Sequence, residues 1–288
     1  MDKDNKSLTP FFQKMDNKSL TTFFNKYTLT ERIGEGNFGS IYKGQNIRTR
    51  EQVAIKIEPI DNGLKLLKNE STIYQYLNGC VGIPVVKWFG KDDTNYYMVI
   101  NLLGDSLQDL MNKNQRLLLP FVLNLGIKII TVLKTIHDKG LIHRDIKPHN
   151  ILFSDNNLNK QINLIDFGFC KTYLDNGTGE HLPIKKIQGI IGSKNYASIM
   201  THNHYELSRR DDLESLGYML LYFYMGVLPW SNTLDNNNII FLKNKILTDT
   251  TYPSVVLDML RYSRSLEYEE KPNYHLLIDN FKREIENQ

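Results

Sequence analysis

Residues 143–150 read His143-Arg144-Asp145-Ile146-Lys147-Pro148-His149-Asn150, and Asp166-Phe167-Gly168 follows the apolar, strand-like Ile162–Ile165. Upstream, in order, stand Gly34-Glu35-Gly36-Asn37-Phe38-Gly39 and Val53-Ala54-Ile55-Lys56. Singly, none is decisive. A DFG tripeptide occurs by chance, and the glycine segment alone reads as an ordinary turn. All four in this order and at this spacing arise together by chance very rarely, so the chain must fold in a way that uses them jointly.

Each motif suits one part of the same chemistry. The glycine segment lies between two predicted strands rather than between a strand and a helix, which disfavours dinucleotide binding at a helix N-terminus. It suits a hairpin flap whose N–H groups lie over phosphates. A buried Lys56 at a strand end can hold α- and β-phosphates if a carboxylate orients it, and Glu70 on the next predicted helix is the candidate. For a lone pair of charges, the ordinary alternative is a snorkelling lysine and a solvated glutamate. Asp145 can accept a hydroxyl proton and orient the oxygen for in-line attack. Lys147 can stabilise charge on the transferred group. Asn150 offers an amide oxygen and Asp166 a carboxylate to Mg²⁺, a hard cation that prefers oxygen ligands.

The rest of the chain supplies the frame. Alternating segments at 27–33, 39–46, 52–58, 85–89 and 96–101 predict short strands, with a helix over 65–77. Beyond Gly104 helical spacing dominates, at 106–112, 120–139, 211–224 and 274–286. The expectation is an α+β protein with a small β-rich N-terminal lobe and a larger, mainly helical C-terminal lobe. Its 288 residues can bury a large core without disulfides. Two cysteines, Cys80 and Cys170, fit a reducing compartment. A net charge of +3 is too small to argue for nucleic acid. No apolar signal-peptide core opens the chain, and the apolar stretches at 117–136 and 216–230 carry Pro, Lys, Asn or Gly, as core helices do. The first 26 residues hold a direct repeat, DNKSLTPFFQK from Asp4 and DNKSLTTFFNK from Asp16. Two copies cannot build a repeat architecture. The segment reads as a flexible arm, with Ser7, Thr9, Ser19, Thr21 and Thr22 as phosphorylation candidates and Phe11, Phe12, Phe23 and Phe24 as docking candidates.

On these motifs the chain resembles the eukaryotic protein kinases, and within them the casein kinase 1 family, over about 27–281. The narrower resemblance rests on Cys80-Val81-Gly82-Ile83-Pro84, the stretch Leu102–Leu110, LIHRDIKPHN from Leu141, Tyr196-Ala197-Ser198-Ile199 and Ser208–Tyr218. It also rests on the absence of Ala-Pro-Glu after the activation segment. The resemblance implies a bilobal kinase fold with ATP in the cleft: an arm over 1–26, an N-lobe over 27–101, a hinge over 101–105, a C-lobe over 106–281 and a short end at 282–288. It implies a serine/threonine protein kinase using ATP and Mg²⁺, with Mn²⁺ as a substitute. Asp145, Lys147, Lys56 and Glu70 would be catalytic and Asn150 and Asp166 would hold metal. ATP would meet Ile33, Gly34, Glu35, Gly36, Asn37, Phe38, Gly39, Ile41, Ala54, Lys56, Leu152, the gatekeeper Ile100, the hinge residues Asn101 and Leu103, and Asp109 near the ribose. Arg144 and Asp212 would support the catalytic loop.

The resemblance further implies protein substrates with Ser or Thr in an acidic context, and a monomer with no membrane or direct nucleic-acid partner. The compartment would be intracellular, cytoplasm or nucleus, of a host cell if the source is viral. Composition rich in Asn, Lys and Ile suggests an AT-rich genome. Two family cations of the phosphate-selecting pocket are replaced, by Asn195 and, on ungapped count, by Leu234, so an altered preference for primed substrates is expected. Lys171, Lys185, Lys186 and Lys194 remain as cations. His149 and Met200 also depart from the family, and Cys170 reads as a packing residue. The chain ends soon after the conserved pattern, which fits an enzyme active without activation-loop phosphorylation. The alternative is a pseudokinase-like scaffold or a partner-recruiting module using the arm.

Overall fold

The computed structural model describes residues 22–36, 39–60, 66–155 and 161–288. These fall into two compact units. One comprises the described residues up to 60 together with Lys87–Leu102. The other comprises 66–86 and the described residues of 103–288.

The first unit is built on one sheet. Its strands are β1 (Thr22–Phe23), β2 (Tyr27–Gly36), β3 (Gly39–Asn46), β4 (Gln52–Pro59), β5 (Val86–Lys91) and β6 (Asn95–Asn101), in the order β1-β2-β3-β4-β6-β5. Side chains alternate across a strand, so one face can be apolar while the other is not. Val53, Ile55 and Ile57 of β4 join Tyr27, Leu29, Tyr97 and Val99 in a buried cluster, flanked by Phe23, Tyr42 and Trp88. Thr22–Lys26, grouped with the arm on sequence pattern, belong to this unit. Thr22 and Phe23 pair with Thr28 and Tyr27, and Phe23 stacks on Tyr97 at 5.3 Å. Phe24 lies 4.7 Å from the Trp88 ring. The first repeat copy, with Phe11 and Phe12, and the hydroxyls of Ser7, Thr9, Ser19 and Thr21 lie outside the described residues.

The second unit is mainly helical: α1 (Leu66–Tyr76), α2 (Leu107–Asn114), α3 (Leu119–Asp138), α4 (Ile199–His202), α5 (Arg209–Met225), α6 (Asn236–Lys245), α7 (Ser254–Ser265) and α8 (Tyr274–Glu286). Two small antiparallel pairs join β7 (Leu141–Ile142) to β10 (Lys171–Thr172) and β8 (Ile151–Phe153) to β9 (Ile162–Leu164). Helix α5 is the hub. Leu213, Leu216, Leu220 and Leu221 are fully buried, as their spacing predicts, and α5 packs against α3 and α7. Asp212 in its first turn sets a carboxylate at the positive end of the helix dipole, and Gly226 closes the helix at φ 83°. Among the described residues, α3 is long and apolar enough to cross a membrane by length and composition. Val122, Ile129, Ile130, Leu133 and Ile136 on it are buried within this unit, where α3 packs on α5 and α8. Helix α1, placed with the sheet on sequence pattern, groups here with the helical unit through contacts to the Phe167–Phe169 turn.

Candidate active site

In the first unit, the ladder arranges the sequence candidates on one face. Cross-strand partners share a face. Ile41 is opposite Lys56, and Lys56 is opposite Met98. Ala54 is opposite Ile100. Ile41, Ala54, Lys56 and Ile100 therefore line the side of the sheet away from the aromatic cluster. The glycine segment is a hairpin: Gly34 pairs with Ile41, Glu35 with Ser40 and Gly36 with Gly39. Gly39 has to be glycine, because a Cβ there would stand 2.0 Å from the Ile57 carbonyl oxygen. Ile33 is exposed. Asn37 and Phe38 lie outside the described residues. Asn101 ends β6, and the division between units falls after Leu102, so Leu103 belongs to the second.

In the second unit, the 143–150 stretch is a loop held by polar contacts from distant elements. Asp212, buried in α5, accepts the His143 N–H on Oδ2 at 2.8 Å and the Arg144 N–H on Oδ1 at 2.9 Å. Its Oδ2 also meets His137 Nε2 at 2.9 Å, and His137 Nδ1 lies 2.6 Å from the Tyr274 hydroxyl. Burial works to raise the Asp212 carboxyl, but His137, His143 and these donors outweigh it and hold it below the usual carboxylate range. Arg144 is left-handed at φ 70°, a conformation that non-glycine residues adopt at a cost. It is pinned by its N–H on Asp212, by Nε on the Phe169 carbonyl at 2.7 Å and by an ion pair to Glu206 at 2.9 Å. Lys171 pairs with the other Glu206 oxygen.

That frame sets Asp145. Its side chain is 1% exposed. Oδ2 accepts Lys147 Nζ at 2.6 Å, and Oδ1 accepts the Ser193 N–H at 2.8 Å. Asn150 donates its amide N–H to the Asp145 carbonyl at 2.9 Å, which leaves its Oδ1 to point elsewhere. The Asp145 N–H donates to His143 Nδ1 at 3.3 Å, so His143 Nε2 carries the proton given to the Ile165 carbonyl at 3.1 Å. Gly192 comes against this loop at φ 81°, where a Cβ would lie 2.4 Å from the Arg144 carbonyl oxygen. Asp166 is also left-handed, at φ 66°. Its N–H donates to the Tyr74 hydroxyl of α1 at 3.2 Å, and the Tyr74 and Phe167 rings meet edge to face at 5.0 Å. Burial and the Glu70 charge push the Tyr74 phenol well up. Glu70 itself is buried on α1.

Asp109 has a visible structural task. It is the third residue of α2 in a capping box, its Oδ2 accepting the Ser106 N–H at 2.9 Å and the Ser106 hydroxyl at 2.6 Å. Ser106 also forms a backbone bridge to Leu152, so Asp109 and Leu152 are tied to the same residue. Among the described residues no cluster of three or more His, Cys, Asp or Glu forms a cation cage. Asn150 and Asp166 offer one amide and one carboxylate. That sparse oxygen set suits Mg²⁺, which keeps waters and takes phosphate oxygens, rather than an all-protein cage.

Beside Lys147 opens a groove of about 750 Å³, lined by Lys147, His149, Ser193, Lys194, Asn195 and Tyr196 among others. Partial desolvation and the Lys147 charge hold His149 below its ordinary value. Of the remaining cations, Lys171 is tied to Glu206 and Lys194 donates to the Leu234 carbonyl at 2.5 Å. Leu234 is 90% exposed. Burial, with the Asp212 charge, pushes the Cys170 thiol up to about 12, as suits a packing residue. Met200 packs against the buried Ile142, Tyr173 and Leu207.

Sequence reading missed two groups that hold this loop, His137 and Glu206, and one buried lysine near the groove, Lys243. Lys243 had a usable signal. It stands between Ile239 and Ile246 at helical spacing, on the buried face of α6. His137 and Glu206 carry no local signal, because their partners lie 75 and 62 residues away.

A family model described as the protein kinase domain matches residues 27–271. The curled antiparallel sheet and the helical unit are the two lobes of that fold.

Proposed function

The chain belongs to the protein kinase family, and on that premise we propose that it transfers the γ-phosphoryl of ATP to serine and threonine hydroxyls of proteins, as a casein kinase 1 type enzyme. The observation that carries the reading is the double anchoring of Asp145, by Lys147 on one oxygen and the Ser193 N–H on the other. A carboxylate fixed in this way can take a hydrogen bond from an incoming hydroxyl, orient it and accept its proton. Lys147, at hydrogen-bond distance from Asp145, would follow charge onto the transferred group. A lysine two residues after the catalytic aspartate also favours Ser and Thr over Tyr. Lys56 would hold the α- and β-phosphates under the glycine hairpin, with Ile41, Ala54 and Ile100 beside the adenine. Asn150 and Asp166 would hold Mg²⁺, which supplies positive charge to the phosphate oxygens as the bond breaks.

Two finer readings accompany it. Arg144 already has its carboxylate, Glu206, at 2.9 Å, so the loop does not need a phosphate to neutralise that arginine. This supports activity without activation-loop phosphorylation. The groove carries Asn195 where the family has arginine, and Lys194 bonds a backbone carbonyl. Charge-assisted contacts to phosphate are the strong ones, so this supports a relaxed dependence on primed substrates.

The test is transfer from ATP–Mg²⁺ to casein and to matched primed and unprimed peptides, with Asp166→Asn as control. Transfer abolished in the control and confined to Ser and Thr is expected. ATP binding without transfer refutes the enzyme reading, and equal priming enhancement in the wild type and Asn195→Arg refutes the relaxed subsite.

A further inference from the structure

Lys243 on α6 is fully buried and has three polar partners. Its Nζ donates to the Ala197 carbonyl at 2.6 Å and the Lys194 carbonyl at 3.3 Å, and lies 3.0 Å from His202 Nε2. The Tyr218 and Trp230 rings flank it at 4.5 and 5.2 Å. The tautomer of His202 is fixed by Asn236. The Asn236 amide N–H donates to the His202 carbonyl, so its Oδ1 accepts from His202 Nδ1 at 2.6 Å. Nε2 is then bare and accepts from Lys243. All three ammonium protons are used, each on a group that can only accept.

One of those acceptors, the Lys194 carbonyl, belongs to a residue that walls the groove, and the other, that of Ala197, directly follows the lining residues Ser193–Tyr196. Trp230 Nε1 donates to the carbonyl between them, that of Asn195, at 2.8 Å. Immediately upstream, the Ser193 N–H donates to Asp145. The stretch 193–197 is thus held from below by Lys243 and Trp230 while its first residue holds the catalytic carboxylate. We propose that Lys243 is a positioning residue for the protein-substrate side of the reaction, its buried ammonium fixing the groove wall that meets Asp145. This rests on the kinase reading and adds a residue to it.

The device depends on charge. A neutral amine has two N–H donors for three acceptors, so one acceptor would face a lone pair. Re-tautomerising His202 would break its contact with Asn236. Burial, together with the Arg264 charge and against the Glu214 charge, lowers Lys243 to about 7. Burial and the Lys243 charge lower His202 to about 4, so His202 stays neutral through the range that matters. The other ionisable groups facing this cluster are committed. On α5, Glu214 accepts from Tyr218 at 2.5 Å and from Arg264 of α7 at 3.0 Å. Asp211 accepts the Ser198 hydroxyl at 2.6 Å and is raised by burial to about 7. Lys194 is directed to Leu234. Since Asp211 titrates over the same range, the pH effect must be assigned by variant.

The experiment measures KM and kcat separately for peptide and for ATP from pH 6 to 8.5, in the full chain and in Lys243→Met, with melting curves. Losing charge-assisted bonds to the wall should raise the peptide KM of the variant on the order of tenfold at pH 6. Its ATP KM should stay within twofold of wild type. The wild-type peptide KM should rise above about pH 7, closing the gap at pH 8.5, while the variant stays flat. Equal peptide KM in both proteins at every pH overturns the proposal, as do peptide and ATP KM rising together with a lowered melting point. If Lys243→Met does not fold, a wild-type peptide KM that stays flat across the range overturns it alone. A wild type that binds ATP but phosphorylates nothing fails the kinase reading itself, and this role with it.

Discussion

Replacing Asp212 by asparagine tests how the 143–150 loop is held. The native carboxylate takes two backbone N–H groups, from His143 and Arg144, and the His137 ring. Asparagine keeps one oxygen and turns the other position into a donor, so at least one buried N–H faces a second donor. A hydrogen bond to a charged group contributes about 1.5–3 kcal/mol, and an orphaned buried N–H costs about 1–3 kcal/mol. Arg144, left-handed at φ 70°, can relax once its N–H is released, and Asp145 follows it in the chain. If about 3 kcal/mol of this falls on the transition state, kcat drops about a hundredfold. The substitution also reads out in acid. Because the folded Asp212 carboxyl lies below its ordinary value, its stabilisation is complete above about pH 3.9 and is lost as pH falls through the folded value. Asp212→Asn should lack that limb of acid unfolding. The assay is peptide phosphorylation with ATP saturating, alongside thermal melts and an acid titration. A variant with kcat within threefold of wild type refutes the reasoning. So does a rate loss fully accounted for by a smaller folded fraction.

Gly192→Ala should lower kcat by at least tenfold, since its Cβ meets the Arg144 carbonyl at 2.4 Å, whereas Gly189→Ala, at φ 74° with nothing within 4 Å, should cost about 1 kcal/mol of stability and little rate. Similar rates for the two variants in steady-state assays would remove the close-approach argument. Phe23→Ala should destabilise the sheet unit by about 2 kcal/mol, below the range for a fully buried phenylalanine, because Phe23 packs on Tyr27, Trp88 and Tyr97. Denaturant unfolding followed by tryptophan fluorescence reads it, and an unchanged midpoint would place the ring outside the cluster. With its thiol at about 12, Cys170 should alkylate at pH 8 on the order of a thousandfold more slowly than a free cysteine, as peptide mapping after iodoacetamide would show. Rapid labelling there would contradict its burial.

What could be read from the chain, and what could not, divides along a physical line. The strand 52–58 and the helix 274–286 were legible because one face of each is apolar, with period 2 in the strand and 3.6 in the helix, and a period is a local property. Ile41, Ala54, Lys56 and Ile100 could be grouped by motif, but the register that puts them on one face comes from pairing across β3, β4 and β6. Helix α7 carries a plain apolar face, Val256, Leu257, Met259 and Leu260, that sequence reading passed over. Helix α6 escaped notice because its polar residues obscure the repeat: it opens Asn236-Asn237-Asn238, and its buried face includes a lysine. The same residue shows where the limit lies. A charge can sit in an apolar helical phase only if distant groups satisfy it, and the groups that satisfy Lys243 are two carbonyls and a histidine more than forty positions away. Asp212, Glu206 and His137 obey the same rule. On the proposed function, the chemistry of transfer would be carried by short motifs, each a run of adjacent residues. The rigidity that makes those motifs effective comes from buried charges whose partners only the tertiary fold supplies, so a charged residue at a core-phase position is the sequence signal most worth following to the groups that hold an active site.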